Sequence, residues 1–421
     1  MKKFQKLSSI LLIVISLVFI FGLIGCDINV VDRTQKIQAS NLMHDIIAQP
    51  VNSLELDDQF CSAAANFSLD LFRATISNSD NSLISPVSVL LALAMTANGA
   101  DGNTLTQMEQ VIGGGMSIND LNTYLYTFVN NLTSQPRSLI NISNSIWFRE
   151  FGFTPNCEFL QTNANYFGAD AFAAPFDNQT VEDINIWISN ATDGLIKEML
   201  DSIPSDAIMY LINTVLFDAE WARVYNEMDV HSGVFTNHNN QPQTAEFMSA
   251  RENLLFIQDK NVTGFIKPYY GERYSFAAIL PGEDINILDY IGELSGEDFL
   301  NLIGNAHFSD LMPALPKFSY EFEVSMNHAL MAMGIEEAFC EERADLSRVG
   351  SASGNLFISD VKHKAIITVD EKGTKAGAAT IVEVGVTSAP LFLKLDRPFI
   401  YAIIDNDTNL PLFIGTLLSI P

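Results

Sequence analysis

The sequence predicts a mixed α+β fold, on three observations. Strand-like alternation predominates after residue 205, with turn signals at Pro281-Gly282 and Asn406-Asp407 that read as hairpins. Helical spacing is concentrated before residue 205 and again near 322–338. A third stretch, Glu371 to Ser388 (EKGTKAGAATIVEVGVTS), alternates for longer than a strand ordinarily runs. From Thr374 every second residue (Thr374, Ala376, Ala378, Thr380, Val382, Val384, Val386) is small or β-branched, the pattern of a strand with one buried face. At about 3.3 Å per residue, residues 374 to 387 span roughly 46 Å, two to three times an ordinary strand. Gly373, Gly377 and Gly385 equally suit an exposed loop, since glycine weakens a strand by roughly 0.5–1 kcal/mol against alanine. The stretch is read as having two states.

Length alone, 421 residues, suggests two or three domains or one large mixed one, and 48% hydrophobic residues provide for a sizeable core. The cysteines, Cys26, Cys61, Cys157 and Cys340, form no CxxC pair, which argues against a zinc site or a disulfide framework. Residues 1–25 read as a leader: Lys2, Lys3 and Lys6 are the basic start, Ile10 to Leu23 the apolar run, and Leu23-Ile24-Gly25-Cys26 follows. That ending resembles a prokaryotic lipobox, which implies cleavage before Cys26 and lipid on its thiol; a plain signal anchor is the alternative. Residues 26–56 then read as a tether, and the product as exported and lipid-anchored at the cell membrane or surface. Losing the leader removes three lysines and no acid, leaving 20 basic groups against 50 acidic ones. Such a surface disfavours nucleic acid and other polyanions, and is most simply a solubilising one.

In chain order, Phe60, Ala64, Phe67 and Leu71 recur at helical spacing and open the globular part. In NSLISPVSVLLALAMTANGADGNTLTQMEQVIG (81–113), Ser85 is a natural N-cap, Pro86 suits a first helical turn, and Gly99 closes the helix. Asn103 and Thr104 read as caps of a second helix. This stretch resembles the serpin family, whose SPxSxxxALAMxxxGAxGxT pattern it matches almost letter for letter; Asp101 replaces a frequent lysine without evident consequence. The likeness continues through INISNSIWFRE (140–150), the N-x-W…T-x-G-x-I of Asn185, Trp187, Thr192, Gly194 and Ile196, and MYLINTVLFDAEW (209–221). It runs on through residues 315–339, Ala344-Asp345-Leu346, 361–380 and 396–417, so that residues 57–421 form one domain. Val230 stands where the family has a threonine. The resemblance implies three sheets, eight or nine helices and a reactive-centre loop at about 371–392, overriding the length prior.

An enzyme is disfavoured on the residues themselves. GSASG at 350–354 has Ala352 where a nucleophile elbow needs serine, and there is no HExxH, P-loop or GxGxxG. None of the six histidines is paired at ligand spacing, and neither a metal nor a cofactor is expected. A triad dispersed through the sequence is the rival reading. His363, in VKHKAII, reads as a hydrogen-bonded core histidine. The serpin likeness places it where the central sheet parts, beside Ser85, Ser88 and Asn213, with Trp221 near the top of that sheet; these five are expected to gate it.

The likeness also implies the mechanism. A protease that cuts the loop forms an acyl-enzyme, and the freed arm inserts as a new central strand before water can release it. The hinge is Glu371, Gly373, Thr374, Ala376, Ala378, Ala379 and Thr380, whose small residues let a strand slide between two others. Thr374, the first residue to go in, is uncharged, whereas a charge there would be buried at a cost of several kcal/mol. Family spacing from Glu371, and counting back from Lys394 and Arg397-Pro398-Phe399, both give Thr387-Ser388 as the reactive bond, with Val386 or Val384 as alternative acylated residues. No Lys or Arg lies between 376 and 393, so elastase-like or subtilisin-like serine proteases, and some papain-like cysteine proteases, fit better than trypsin-like ones. Met116 to Pro136, matching the family's heparin-binding helix, lacks Lys and Arg, so no heparin-like activator is expected. A monomer is expected, and a non-inhibitory binding or substrate serpin is the alternative function.

Overall fold

The computed structural model describes residues 36–133, 140–205, 207–352, 354–374 and 389–421, of which Ile37–Pro421 form one unit. Its first strand is Ser40–Asn41 (β1). Helix α1 (Asp58–Thr75) begins where the Asp57 carboxylate accepts from the Phe60 N–H at 2.9 Å, and it buries Phe60, Ala64, Phe67 and Leu71 on one face. After Ser82–Ile84 (β2) comes α2 (Pro86–Ala97), buried at every position, as its apolar run requires. Pro86 occupies the first turn as expected, but the Ser85 hydroxyl does not cap this helix. Helix α3 (Gly102–Gly113) is capped by Asp101, not by Asn103 or Thr104, because the Asp101 carboxylate accepts from Gly102 N–H at 2.8 Å. Asp101 also pairs with Arg348 at 2.8 Å, so this position does have a consequence. Helix α4 is Ile118–Thr133.

The following elements are β3 (Ile140–Arg149), α5 (Cys157–Phe167), β4 (Asp170–Ala174), α6 (Asn178–Ala191), β5 (Met209–Phe217) and β6 (Ala219–Glu220). Then come β7 (Val230–Thr236), β8 (Pro242–Ser249), β9 (Glu252–Gln258), β10 (Val262–Pro268) and β11 (Tyr274–Pro281). Helices α7 (Ile287–Glu293) and α8 (Gly296–Gly304) precede β12 (His307–Pro316), β13 (Phe318–Ser325) and α9 (Asn327–Met333). The chain closes with β14 (Asp360–Val369), β15 (Gly373–Thr374), β16 (Leu391–Lys394), β17 (Phe399–Asp405) and β18 (Pro411–Leu417).

Two large sheets carry the core. The first has the order β1-β4-β3-β5-β14-β13. The second runs β2-β18-β17-β11-β10-β9-β12-β8-β7, with β16 beside β12. Pairing of Glu252–Phe256 with Leu311–His307 joins into one hydrogen-bonded path what the family likeness divides into two sheets. Strands β17 and β18 are buried throughout and read as continuous apolar runs, the pattern of strands covered on both faces.

The architecture is the mixed α+β one, with local differences. Asn406-Asp407 does connect a hairpin, β17 to β18. Pro281-Gly282 does not: the β10–β11 turn falls at residues 269–273, with Gly271 and Glu272 at positive φ, and Pro281 leads instead into α7. Helices α7 and α8 lie beyond residue 205, where the alternation pattern predicts mainly strands. The helix expected near 322–338 is only Asn327–Met333, because residues 319–325 alternate exposed and half-buried as a strand beside β14. Residues 26–35 lie outside the described part. Residues 38–41, within the expected tether, contact the domain: the Asp183 carboxylate accepts from Gln38 and Ala39 N–H at 3.0 and 2.7 Å, and β1 pairs with β4.

Candidate functional site

The first sheet is parted at its centre. Strands β3 and β5 pair along nine residues, and β13 and β14 pair along eight, so both flanks are closed. Between them, β5 and β14 run parallel but pair only at Asp360–Tyr210 and Val361–Leu211. Residues 212–217 and 362–369 therefore face a slot in which, among the described residues, their ladders do not meet.

At the foot of the slot, the first turn of α2 ties the two strands together. The Ser85 backbone N–H donates to His363 Nε2 on β14 at 3.1 Å, and the Ser85 hydroxyl, instead of capping the helix, donates to the Leu412 carbonyl at 2.8 Å. One turn along, the Ser88 hydroxyl donates to Asn213 Oδ1 on β5, while the Asn213 amide donates to Asn144 Oδ1 on β3. All five side chains are buried. Burial lowers the His363 pKa to about 4, so at neutral pH the ring is uncharged with its proton on Nδ1 and its Nε2 lone pair free to accept.

At the top of the slot the chain has already reversed. Asp370 N–H donates to the Gly373 carbonyl at 3.0 Å, and the Asp370 carboxylate takes the N–H groups of Lys372 and Gly373 at 2.8 and 3.2 Å. The next two residues, β15, run antiparallel to β6 with Gly373 opposite Glu220 and Thr374 opposite Ala219. Gly373 sits at φ 153°, and a Cβ there would lie 2.1 Å from the Ala219 carbonyl oxygen, so only glycine fits. Thr374 is buried, its hydroxyl sharing a hydrogen bond with Tyr269 OH at 2.8 Å.

The turn is gripped through its carbonyls. Trp221 Nε1 donates to Asp370 O at 2.9 Å, Trp221 N to Lys372 O at 2.8 Å, and Tyr225 N to Glu371 O at 2.8 Å. The Trp221 and Tyr269 rings stack 4.6 Å apart at 9°. Outside, Lys317 pairs with Glu371 at 2.7 Å and with Glu246 at 3.0 Å, both part-exposed and worth little each.

A family model described as Serpin (serine protease inhibitor) matches residues 62–420. The chain belongs to the serpin family. Among solved structures, this serpin is similar to tengpin, a thermophilic serpin, in its native state: 49% identity and a TM-score of 0.87 over 91% of this chain and 100% of that one. It is also similar to tengpin in its latent state, at 48% identity and 0.80 over 88% and 100%. The leukocyte elastase inhibitor of Xenopus laevis is 30% identical over 86% of this chain and 100% of its own. An uncharacterized serpin-like protein of Thermococcus kodakarensis is 29% identical over 85% of each. The fold is the serpin fold, and serpins are in general protease inhibitors that complex their targets, not enzymes.

Of the residues singled out from sequence, Ser85, Ser88, Asn213 and His363 meet at the foot of the slot, and Trp221, Glu371, Gly373 and Thr374 meet at its top. Ala376, Ala378, Ala379, Thr380, Val384, Val386, Thr387, Ser388 and Cys26 lie outside the described residues. Sequence reading missed Asn144, Tyr269, Asp370 and Lys317. Asn144 carried a usable signal, an amide in the middle of the apolar strand INISNSIWF. Tyr269 carried none, since an aromatic in a strand is ordinarily core.

Proposed function

We propose that this serpin is a single-use inhibitor of serine proteases of the elastase-like or subtilisin-like kind, with papain-like cysteine proteases as secondary targets. One observation supports the reading most: three registers meet at a single position. Continuing β15 alongside β5 from Thr374 opposite Ala219 sets Ala376 opposite Phe217, Ala378 opposite Val215 and Thr380 opposite Asn213. Continuing the hairpin from the Asp370–Gly373 pair sets Thr380 opposite His363. The parallel register of β5 and β14 independently sets His363 opposite Asn213. A strand of the 374–380 sequence thus matches the open part of the slot, its small face set against the buried Ile367, Ala365 and His363 of β14.

The sequence of events is then fixed by chemistry. The protease nucleophile, a serine hydroxyl or cysteine thiolate, attacks the Thr387 carbonyl; the Thr387–Ser388 bond breaks, Ser388 leaves as a free amine, and residue 387 remains as an ester or thioester. Cutting releases the arm N-terminal to the bond, and each ladder hydrogen bond it makes in the slot adds about 0.5–1.5 kcal/mol net. The turn at Asp370–Gly373 is already built, so insertion proceeds downward from Thr374 and carries the acylated protease with it. Val386 and Val384 remain alternative acylated residues. Incubation with an elastase-like protease tests this: an SDS-stable complex is expected, with a released peptide that begins at Ser388 by mass spectrometry. Clean loop cleavage with no complex overturns it and leaves a non-inhibitory binding or substrate serpin.

The remaining features of the proposal are an exported monomer held at the membrane or cell surface by lipid on Cys26, acting without cofactor, nucleic acid or heparin-like activator. Partition of the mature chain into detergent, lost on Cys26→Ser, checks the anchor.

A further inference from the structure

Behind the residues that grip the turn lies a buried ion pair. Among the described residues Lys267, at the end of β10, is the lysine with no exposed side-chain surface, and its ammonium contacts both oxygens of Glu252, at the start of β9, at 2.6 and 2.7 Å. Glu252 is itself only 8% exposed. The same ammonium stands 4.6 Å from the centre of the Tyr225 ring and 5.5 Å from that of Trp221, within cation–π range of both. These two rings belong to the residues whose three N–H groups hold the carbonyls of Asp370, Glu371 and Lys372. The residue after Lys267, Pro268, accepts from Ala222 N–H at 3.0 Å, and Tyr269 beyond it stacks on Trp221.

We infer that Lys267 and Glu252 are positioning residues for loop insertion: the pair fixes Trp221 and Tyr225, and these hold the reversed turn from which the inserted strand grows. An apolar pair of similar size would fill this space at less desolvation cost, since buried ion pairs rarely outdo well-packed apolar replacements. The ion pair adds a single geometry, because moving either ring away from the ammonium leaves a buried charge less well compensated. Ordering a backbone residue costs about 1–2 kcal/mol, and a turn held in place before cleavage has met that cost before the race against deacylation begins. A loosened turn must be rebuilt while water attacks the acyl-enzyme, and more inhibitor is then turned over as substrate.

This last step rests on the inhibitor reading; the positioning of the turn does not. The test is the double variant Lys267→Met with Glu252→Leu, which removes both charges together. Hydrogen–deuterium exchange of peptides spanning 219–226 is expected to accelerate at least tenfold, with peptides from β3 unchanged and the thermal midpoint close to wild type. The stoichiometry of inhibition against an elastase-like protease is expected to rise at least threefold, while the rate of first cleavage stays the same. Should the double variant fold poorly, Glu252→Gln, which keeps an acceptor for the ammonium, gives the same two readings with smaller changes. Unchanged exchange at 219–226 overturns the inference, and so does accelerated exchange with an unchanged stoichiometry. If the wild-type chain forms no complex, the inhibitor reading fails there, and exchange alone decides whether the pair positions the turn.

Discussion

At the foot of the slot, β14 and β5 are held from a third element, the start of α2, by the Ser85 backbone N–H and the Ser88 hydroxyl, and every bond there ends on a neutral polar group. At the top, the extensions of the same strands hold the chain by its own carbonyls, with an aromatic stack and a charged pair behind them. The foot bonds are directional, few and separable, the properties of a contact that can be exchanged for another. The top is packed around the reversed turn at Asp370–Gly373. On the proposed reading, a strand entering from above would find its first pair already formed and would meet Asn213 and His363 just above the ladder that joins β5 to β14 at Leu211–Val361.

Substitutions that attack each end should separate the two roles. The largest effect is expected from Thr374→Arg, which forces a charge into a buried site beside Tyr269. Complex formation should fall below a tenth of wild type while loop cleavage continues; complexes at wild-type yield on denaturing gels would count against insertion from the top. Trp221→Ala removes a fully buried indole together with its bond to Asp370, and should cost about 3–5 kcal/mol in denaturant unfolding. A loss under about 1 kcal/mol would mean that the top is not a packed unit.

The foot has a pH signature of its own. With its folded pKa near 4 against 6.5, His363 stays neutral in the fold while the unfolded chain binds a proton between those values. Its contribution to stability is whole above pH 6.5, declines as pH falls toward 4 by up to about 3 kcal/mol, and is flat below. The difference in unfolding free energy between wild type and His363→Asn isolates it from the carboxylates, and a pH-independent difference would refute the assignment. The smallest effect is expected from Tyr269→Phe, which keeps the stack and loses only the bond to Thr374, about 1 kcal/mol. Equal loss from Tyr269→Phe and Trp221→Ala would erase the distinction between the hinge contact and the packed support.

Much of this architecture is legible in the residues alone. The buried face of α1 and the hairpin at Asn406-Asp407 follow from periodicity and turn chemistry, which are local. The membership of the foot cluster is legible only through family likeness, because nothing local relates Ser85 to a histidine 278 positions away. Caps are ambiguous where three candidates lie within four residues, as Asp101 outcompetes Asn103 and Thr104, or where a hydroxyl is drawn elsewhere, as Ser85 spends its own on Leu412. The Lys267–Glu252 pair is invisible in sequence for a different reason. A lysine at the end of a strand ordinarily reaches solvent, and only the packing of Trp221 and Tyr225 over it encloses the charge.

The short β1 strand has a consequence for a sheet that is parted at its centre. Residues 172–173 of β4 are paired with Ser40–Asn41, and Leu42 N–H takes the Ala171 carbonyl at 2.8 Å, so a stretch of the outer rim of the sheet is occupied by the chain's own beginning. Unpaired rims are where neighbouring proteins zip together into aggregates. With this stretch of rim sealed, a stranger is offered less of the sheet's outside, while the opening at its centre stays between β5 and β14.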